Sequence, residues 1–485
     1  MNIDLIPQMI RAKDIYRISL IIFLACTISL CFAQEDNIHQ QSSIYQAPKD
    51  PLVKEKLEEW QDLKFGIIIH WGIYAVPGMI ESWALCSEDW ISRPDGISYN
   101  DFKKWYWNLN SIFNPVNFNP DQWAKVSKEA GMKYLVFTTK HHDGFAMFDT
   151  KQSDYKITAG PFKNHPKANV AEHIFDAYRK EGFMIGAYFS KPDWHSQDFW
   201  WDKYATPNRN PNYNILKYPD KWKAFQDFTY EQLSELVHDY GRIDILWLDG
   251  GWIRPKHTVN DEVRSWGAPI PEWSQEVDMT KIATMARKAQ PGIIFADRTV
   301  HGPYENYQTP ERRIPDTKLD DPWESCLPLG NNWGYVPNDP LKSPTTVIHN
   351  LVEVVAKGGN LLLGIGPQSD GTFPIEVQNR LKTIGAWLSK NGEAIYGTRP
   401  MDIFQDDNTF FTTKDKQTFA LHLIPEGENI PQEISWKGNL PEKGDKVILL
   451  ETGQEVKWSI KNQTVFIKVP ADLHAKKRPA LVFAY

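Results

Sequence analysis

Residues 243–250 read Ile-Asp-Ile-Leu-Trp-Leu-Asp-Gly, an apolar run that stops at a carboxylate and two glycines, Gly250 and Gly251, before Trp252. Ile, Leu and Trp in an unbroken run suit a strand covered on both faces, as in a parallel sheet, and glycine after Asp249 lets the backbone turn without crowding a ligand. Taken alone the stretch is equally a strand closed by an Asp-Gly turn. Repetition on either side decides between them.

Upstream, a helical pattern from about Asp220 to Tyr240, stopped by Gly241, leads into this strand. Before it, a helix from about Asn169 to Lys180 leads to a strand over 183–190 and then to Lys191-Pro192-Asp193-Trp194-His195. Earlier still, Asn119-Pro120 reads as an N-cap with proline at the first helical position. That helix closes at Gly131, and a strand over 132–139 delivers Lys140-His141-His142-Asp143-Gly144. The first strong strand, Phe65 to Ile69, ends in His70-Trp71-Gly72. Downstream, a helix from about Asp278 to Gln290 leads to 293–296 and Asp297-Arg298; after Trp323-Glu324-Ser325-Cys326, a helix over about 345–357 leads to the strand Asn360 to Ile365. A strand-helix unit that recurs at least five times, with polar groups at each strand's end, predicts an α/β fold: a (β/α) TIM-like barrel whose chemistry sits at one rim. A doubly wound open sheet shares the alternation, but no glycine-rich phosphate turn follows the first strand. About seven strands, not eight, make the barrel irregular.

A last helix carries Val377, Leu381, Ile384 and Leu388 and ends at Asn391-Gly392. Beyond it come short alternating runs, at 409–412, 418–423, 447–450, 464–467 and 481–483, which predict an antiparallel β-sandwich. At the other end, Arg11, Lys13 and Arg17 precede an apolar run from Ile18 to about Leu30 and then Cys31-Phe32-Ala33, the form of a cleavable secretory leader too short to span a bilayer. The expected organisation is a signal peptide over 1–33, a flexible lead-in over 34–54, the barrel over 55–394 and the sandwich over 395–485, in a secreted or periplasmic protein with no membrane span. Cys26 and Cys31 match a lipoprotein signal imperfectly; in the mature chain only Cys86 and Cys326 remain, two buried thiols by expectation and no disulfide scaffold.

The 485 residues carry a formal charge of -7 without a basic cluster, which excludes a phosphate-backbone partner. Twenty Trp, 19 Tyr and 24 Phe supply flat faces of the kind that pack on pyranose C–H surfaces, although in a chain this long most belong to the core. A rim with carboxylates, histidines and tryptophans points to glycosidic hydrolysis, which needs one ionised carboxylate and one kept protonated. Asp249, beside glycine N–H groups, fits the first role. Glu324, between Trp323 and Ser325, fits the second through apolar cover; Asp143, Asp193, Asp297, Glu305 and Glu311 are its rivals. His141-His142 is a weak metal signal, because neighbours on a strand face opposite ways and no ligand set accompanies them; hydrogen bonding to sugar hydroxyls is the better functional reading. His70 is weighed the same way.

The motifs His70-Trp71-Gly72, His141-His142-Asp143-Gly144-Phe145, Tyr188-Phe189-Ser190, Trp247-Leu248-Asp249-Gly250, Trp323-Glu324-Ser325-Cys326, Trp333-Gly334-Tyr335 and Gly358 to Pro367 stand in one order. In this combination, over roughly residues 55–400, the chain resembles the α-L-fucosidases of glycoside hydrolase family 29. The resemblance implies a retaining exo-hydrolase without metal or cofactor, acting on fucosylated oligosaccharides or glycoprotein glycans. By it Asp249 matches the nucleophile and Glu324 the acid/base of the subfamily with broad aglycone tolerance. His70, His141, His142, Tyr188, Trp247 and Arg298 match the groups that grip the sugar, and Trp333 is a candidate for its methyl face. Glu81-Ser82-Trp83 departs from the family's Glu-Trp pair, so either Glu81 or Trp83 meets the sugar. A hydrolase of a related sugar such as an α-L-galactoside, and a non-catalytic fucose-binding protein, stay open as alternatives.

Overall fold

In the computed structural model, which describes residues 45–88, 91, 93 and 95–485, seven parallel strands form one sheet: β1 (Phe65–Ile69), β2 (Tyr134–Lys140), β3 (Met184–Ser190), β4 (Ile245–Asp249), β5 (Ile294–Asp297), β6 (Glu324–Pro328) and β7 (Asn360–Ile365). Their order is β5-β4-β3-β2-β1-β7-β6, the winding of a TIM-like barrel, with β5 and β6 left at the two edges. An extended segment closes the gap between them. Glu305 bridges Ala296 of β5, while Gln308 and Glu311 bridge Trp323 and Cys326 on the β6 side. That substitute for an eighth strand is what makes the barrel irregular.

The strands are buried along their whole length except at Asp249. Their inner faces meet in a core that includes Ile68, Val136, Tyr188, Trp247, Cys326 and Leu362. Their outer faces take the helices, among them Val170–Lys180, Pro219–Asp239, Met279–Ala289, Pro344–Ala356 and Ile375–Asn391. In Val170–Lys180 the stripe Val170, Ile174, Phe175 and Tyr178 is fully buried, and each such large side chain stabilises the fold by about 1.5–3 kcal/mol. Asn119 does cap its helix (Pro120–Glu129), accepting from the Gln122 N–H.

The first described helix, Pro51–Leu63, closes the end of the barrel where the strands begin. Val53, Leu57 and Trp60 turn inward, Trp60 stacks on Tyr307 at 4.1 Å, and Asn360 Nδ2 donates to the Trp60 carbonyl at 2.7 Å. This helix starts inside the lead-in expected to run to residue 54, because Asp50 accepts from Leu52 N and Pro51 fits the first turn. The leader expected over 1–33 lies outside the described residues. Among the described residues no helix is long and apolar enough to cross a membrane.

The C-terminal strands build an antiparallel six-stranded sheet and a three-stranded one, with Phe411, Trp436, Leu449, Ile467 and Phe483 buried in a shared core. Arg399–Asp406 and Lys457–Lys461 escape the alternation pattern because they are edge strands with largely exposed side chains. Cys86 and Cys326 are both buried free thiols, as their isolation in the sequence suggests.

Candidate active site

The ends of β1 to β5 converge on a hollow of about 90 Å³ lined by His70, Trp83, His141, His142, Arg209, Trp247, Asp249, Gly251, Trp252, Trp266, Arg298, Thr299, Glu311 and Trp333. A larger hollow of about 650 Å³ lies behind the Trp333 loop, but its Asp339 carboxylate is committed to the Asn331 and Asn332 N–H groups. The chemistry belongs to the smaller one.

Asp249 ends β4. One carboxylate oxygen accepts from Gly250 N and Arg298 Nη1, each at 2.8 Å, and the other from Tyr188 Oη at 2.7 Å, with His142 Nε2 at 3.8 Å. Burial alone would raise its pKa. The Arg298 guanidinium, with help from His142 and the Tyr188 hydroxyl, overcomes burial and holds the carboxyl well below the usual range, so Asp249 is an anion at any working pH. Gly250 is required here: its φ is +89°, and a Cβ would lie 2.3 Å from Pro192 Cδ.

The histidines are neutral. Burial pushes His141 down to about 4 and carries His70 and His142 well below their ordinary value. His141 Nδ1 is paired with Ser82 Oγ and His142 Nδ1 with Ser190 Oγ, which leaves both Nε2 atoms for the pocket; His70 Nδ1 is buried with no partner. The expectation that the adjacent pair would face opposite ways is overturned. β2 ends at Lys140, so His141 and His142 sit in the turn, their rings 4.3 Å apart on the same side. His141, His142 and Asp249 bring ligand atoms within 4.8 Å of one another, but the carboxylate oxygens are already committed to Arg298, Gly250 and Tyr188.

The second carboxylate in the pocket is Glu311, not Glu324. Arg298 Nη2 donates to Glu311 at 2.7 Å, and Trp333 Nε1 donates to its other oxygen at 3.1 Å. Glu324 opens β6, and it is a strand residue pointing into the barrel interior below the pocket. It is fully buried, and its oxygens accept from Tyr134 Oη at 2.6 Å and Trp247 Nε1 at 3.1 Å. Reading Trp323 to Cys326 as rim misplaced it, because those residues open a strand and do not follow one. Asp143, Asp193, Asp297 and Glu305 are held by Tyr106, Lys140, Lys191 and His301.

Tyr188, Trp247, Arg298, Trp83 and Trp333 all reach the site. Tyr188 stacks on Trp247 at 5.2 Å, the Arg298 guanidinium lies 4.3 Å over Trp247, and Trp333 faces His70 at 5.2 Å. Of the Glu81 and Trp83 alternatives, Trp83 lines the pocket, edge-on to His142 at 5.0 Å. Glu81 turns away and accepts from Gly334 N at 2.5 Å, which fixes the Trp333 loop. Trp252 is 6% exposed and forms part of the pocket wall. Arg209, Trp266 and Thr299 also line the pocket, and they come from loops whose sequence has no periodicity to mark them.

A barrel that gathers a held carboxylate anion, a second carboxylate on the same guanidinium, and neutral hydrogen-bonding rings in a small aromatic hollow has the site of a glycoside hydrolase. Comparison with known proteins carries this further. The family model described as α-L-fucosidase matches residues 32–393, and the chain belongs to that family. The plasma α-L-fucosidase of Pongo abelii is 28% identical over 439 residues, which cover 87% of this chain and 88% of that protein. Among solved structures, α-L-fucosidase isoenzyme 1 from Paenibacillus thiaminolyticus aligns with a TM-score of 0.71 at 28% identity, covering 89% of this chain and 99% of that one. An α-L-fucosidase from Bacteroides thetaiotaomicron, trapped as a covalent intermediate with 2-fluoro-fucosyl fluoride, aligns at 0.66 with 25% identity over 93% of this chain and 98% of that one.

Proposed function

We propose that the chain is an exo-acting, retaining α-L-fucosidase in which Asp249 is the nucleophile and Glu311 the acid/base. One observation carries the assignment: Arg298 holds both carboxylates on adjacent nitrogens of one planar fork, with Asp249 at 2.8 Å and Glu311 at 2.7 Å. That arrangement supports the short separation, about 5–5.5 Å, of a retaining pair. With Asp249 the ionised partner of Arg298 and Glu311 carrying a proton, Asp249 attacks the anomeric carbon as the glycosidic C–O bond breaks, and the leaving oxygen takes that proton. Esterification removes the charge on Asp249. Arg298 then pairs with Glu311 alone, which favours the carboxylate that takes a proton from water in the second step, as the water oxygen attacks the anomeric carbon and the ester bond breaks to release fucose and the Asp249 carboxylate. Neutral His70, His141 and His142 orient the sugar hydroxyls without adding charge. A hollow of about 90 Å³ takes one terminal residue rather than a polymer, in keeping with exo action.

The finer readings belong to the same proposal: residues 55–394 as catalytic unit and 395–485 as packed sandwich, export behind a leader cleaved after Ala33, and tolerance of varied aglycones. N-terminal sequencing of the mature protein checks the leader, and a panel of fucosyl linkages checks the tolerance. The central test is release of nitrophenol from 4-nitrophenyl α-L-fucoside by wild type and by Asp249→Ala, with azide added to the variant. Wild-type turnover, its loss in the variant and rescue as fucosyl azide are expected. Fucose binding without turnover in wild type would give the protein to the non-catalytic reading, and a higher kcat/KM on the α-L-galactoside would change the sugar.

A further inference from the structure

The two loops that wall the pocket on one side build a second concavity on their outer face. The loop after β3 turns at Asn208-Arg209-Asn210. Arg209 faces the pocket, its guanidinium 4.8 Å over Trp83 and 5.0 Å over Trp252, and it grips Glu88 with two nitrogens at 2.7 and 2.6 Å. Asn208 and Asn210, on either side of it, line a groove of about 520 Å³ that is shared with residues 269–273 of the loop after β4. The two loops are tied together. Asn210 Nδ2 donates to the Pro269 carbonyl at 2.7 Å, and Gln275 Nε2 bridges Asn210 Oδ1 at 3.0 Å and the carbonyl of Trp252, a pocket wall, at 3.1 Å. Groove and pocket are two faces of one hydrogen-bonded wall.

The groove's chemistry is that of a sugar site. Tyr204, Tyr218 and Trp273 supply aromatic surface, with Tyr204 37% exposed. The Tyr204 and Tyr218 hydroxyls bond each other at 3.0 Å, and Trp273 Nε1 is withdrawn from water with no hydrogen-bond partner. Aromatic rings interleaved with phenol and amide groups match the apolar faces and hydroxyls of pyranose units. Its volume lies within the about 300–1,000 Å³ of ligand sites. The pocket residues that are not fully buried are Trp83, Arg209, Asp249, Glu311 and Trp333, and of these Arg209 is chain-adjacent to the groove.

We propose that this groove binds the inner sugars of the same glycan whose terminal fucose occupies the pocket; the proposal rests on the fucosidase reading. Engagement of two linked sites raises apparent affinity without a new contact at the reacting centre. The test uses Fuc-α1,2-Gal as disaccharide and the same terminus carried on a pentasaccharide, with 4-nitrophenyl α-L-fucoside as reference. For wild type, kcat/KM is expected to be at least tenfold higher on the pentasaccharide than on the disaccharide. In Tyr204→Ala and Trp273→Ala that gain disappears, while kinetics on the aryl fucoside and the disaccharide hold within about twofold. A second arm measures calorimetric binding of the fucose-free tetrasaccharide to wild type and both variants, and it reads the groove whether or not fucose is released. Binding by wild type and its loss in the variants supports the groove. No binding by wild type, or equal binding by all three proteins, overturns it. Groove binding without aryl fucoside hydrolysis would sink the catalytic reading alone.

Discussion

Glu324 and Glu311 look interchangeable in the sequence, two glutamates near the same edge of the barrel, and their surroundings give them opposite chemistry. Both oxygens of Glu324 are used inside the protein, and burial, outweighing the Tyr134 and Trp247 hydrogen bonds, raises its pKa from an ordinary 4.5 to about 7. Such a group keeps a proton that the unfolded chain has already released. Stability therefore falls as pH rises from about 4.5 to about 7, by up to roughly 1.4 kcal/mol per unit, and levels off above. Glu324→Gln imitates the protonated form, so the melting temperature of this variant should fall less steeply across that window. Part of the slope should survive, because burial also raises Asp143 to about 7. The same variant should keep kcat within about fivefold of wild type. Glu311→Gln should lose on the order of 10²- to 10⁴-fold on natural glycosides and much less on 4-nitrophenyl fucoside, whose leaving group needs little protonation. A collapse of Glu324→Gln on natural glycosides alone would return the acid role to Glu324.

Strands and helices were legible because each declares itself locally. The Asn360–Ile365 strand ends where its apolar run ends, and the 170–180 helix stops at its glycine. The site was half legible: residues at strand ends, such as Asp249, His70 and Arg298, follow from the strands, whereas Glu311 faces the pocket only because its segment lies beside Cys326 across the barrel gap. Trp266 was hidden for the same reason, brought to the pocket by a loop with no period of its own. That loop carries the short helix Asp261–Ser265, and a half-buried histidine ties it down: His301 Nδ1 contacts Glu305 at 2.7 Å and Nε2 contacts Glu262 at 2.9 Å. Burial acts to lower the His301 pKa, but the two glutamates raise it to about 9. A raised histidine stabilises fully below its unfolded value near 6.5 and loses that contribution as pH climbs through about 9. Hydrogen exchange over 261–266, corrected for its intrinsic pH dependence, should accelerate between pH 7 and 10. His301→Ala should exchange rapidly already at pH 7. Unchanged protection in that variant would mean that packing of Val263 and Trp266, not the ion pairs, holds the loop.

At the scale of the whole molecule, the sandwich and the barrel share a core. Phe410, Phe419, Leu421 and Val482, on one face of the larger C-terminal sheet, belong to the same buried cluster as Leu351, Val355, Ile384 and Trp387 of the last two barrel helices. Trp387 Nε1 donates to the Ala480 carbonyl at 3.4 Å, and Thr412 Oγ1 donates to the Ala394 carbonyl at 2.8 Å. Neither part can unfold without exposing the other's apolar face, so calorimetry of the intact protein should give one transition, with both parts melting together. Trp387→Ala removes a large side chain from the joint, a change that costs about 3–5 kcal/mol in well-packed cores. It should lower that transition by a few degrees, or split it into two, while kcat on the aryl fucoside stays near wild type, since the pocket opens at the ends of the strands and Trp387 lies on an outer helix. Two separate transitions in the wild type would mean that the shared surface is too weak to couple the parts, and the sandwich would then be a tethered module whose removal leaves a stable barrel.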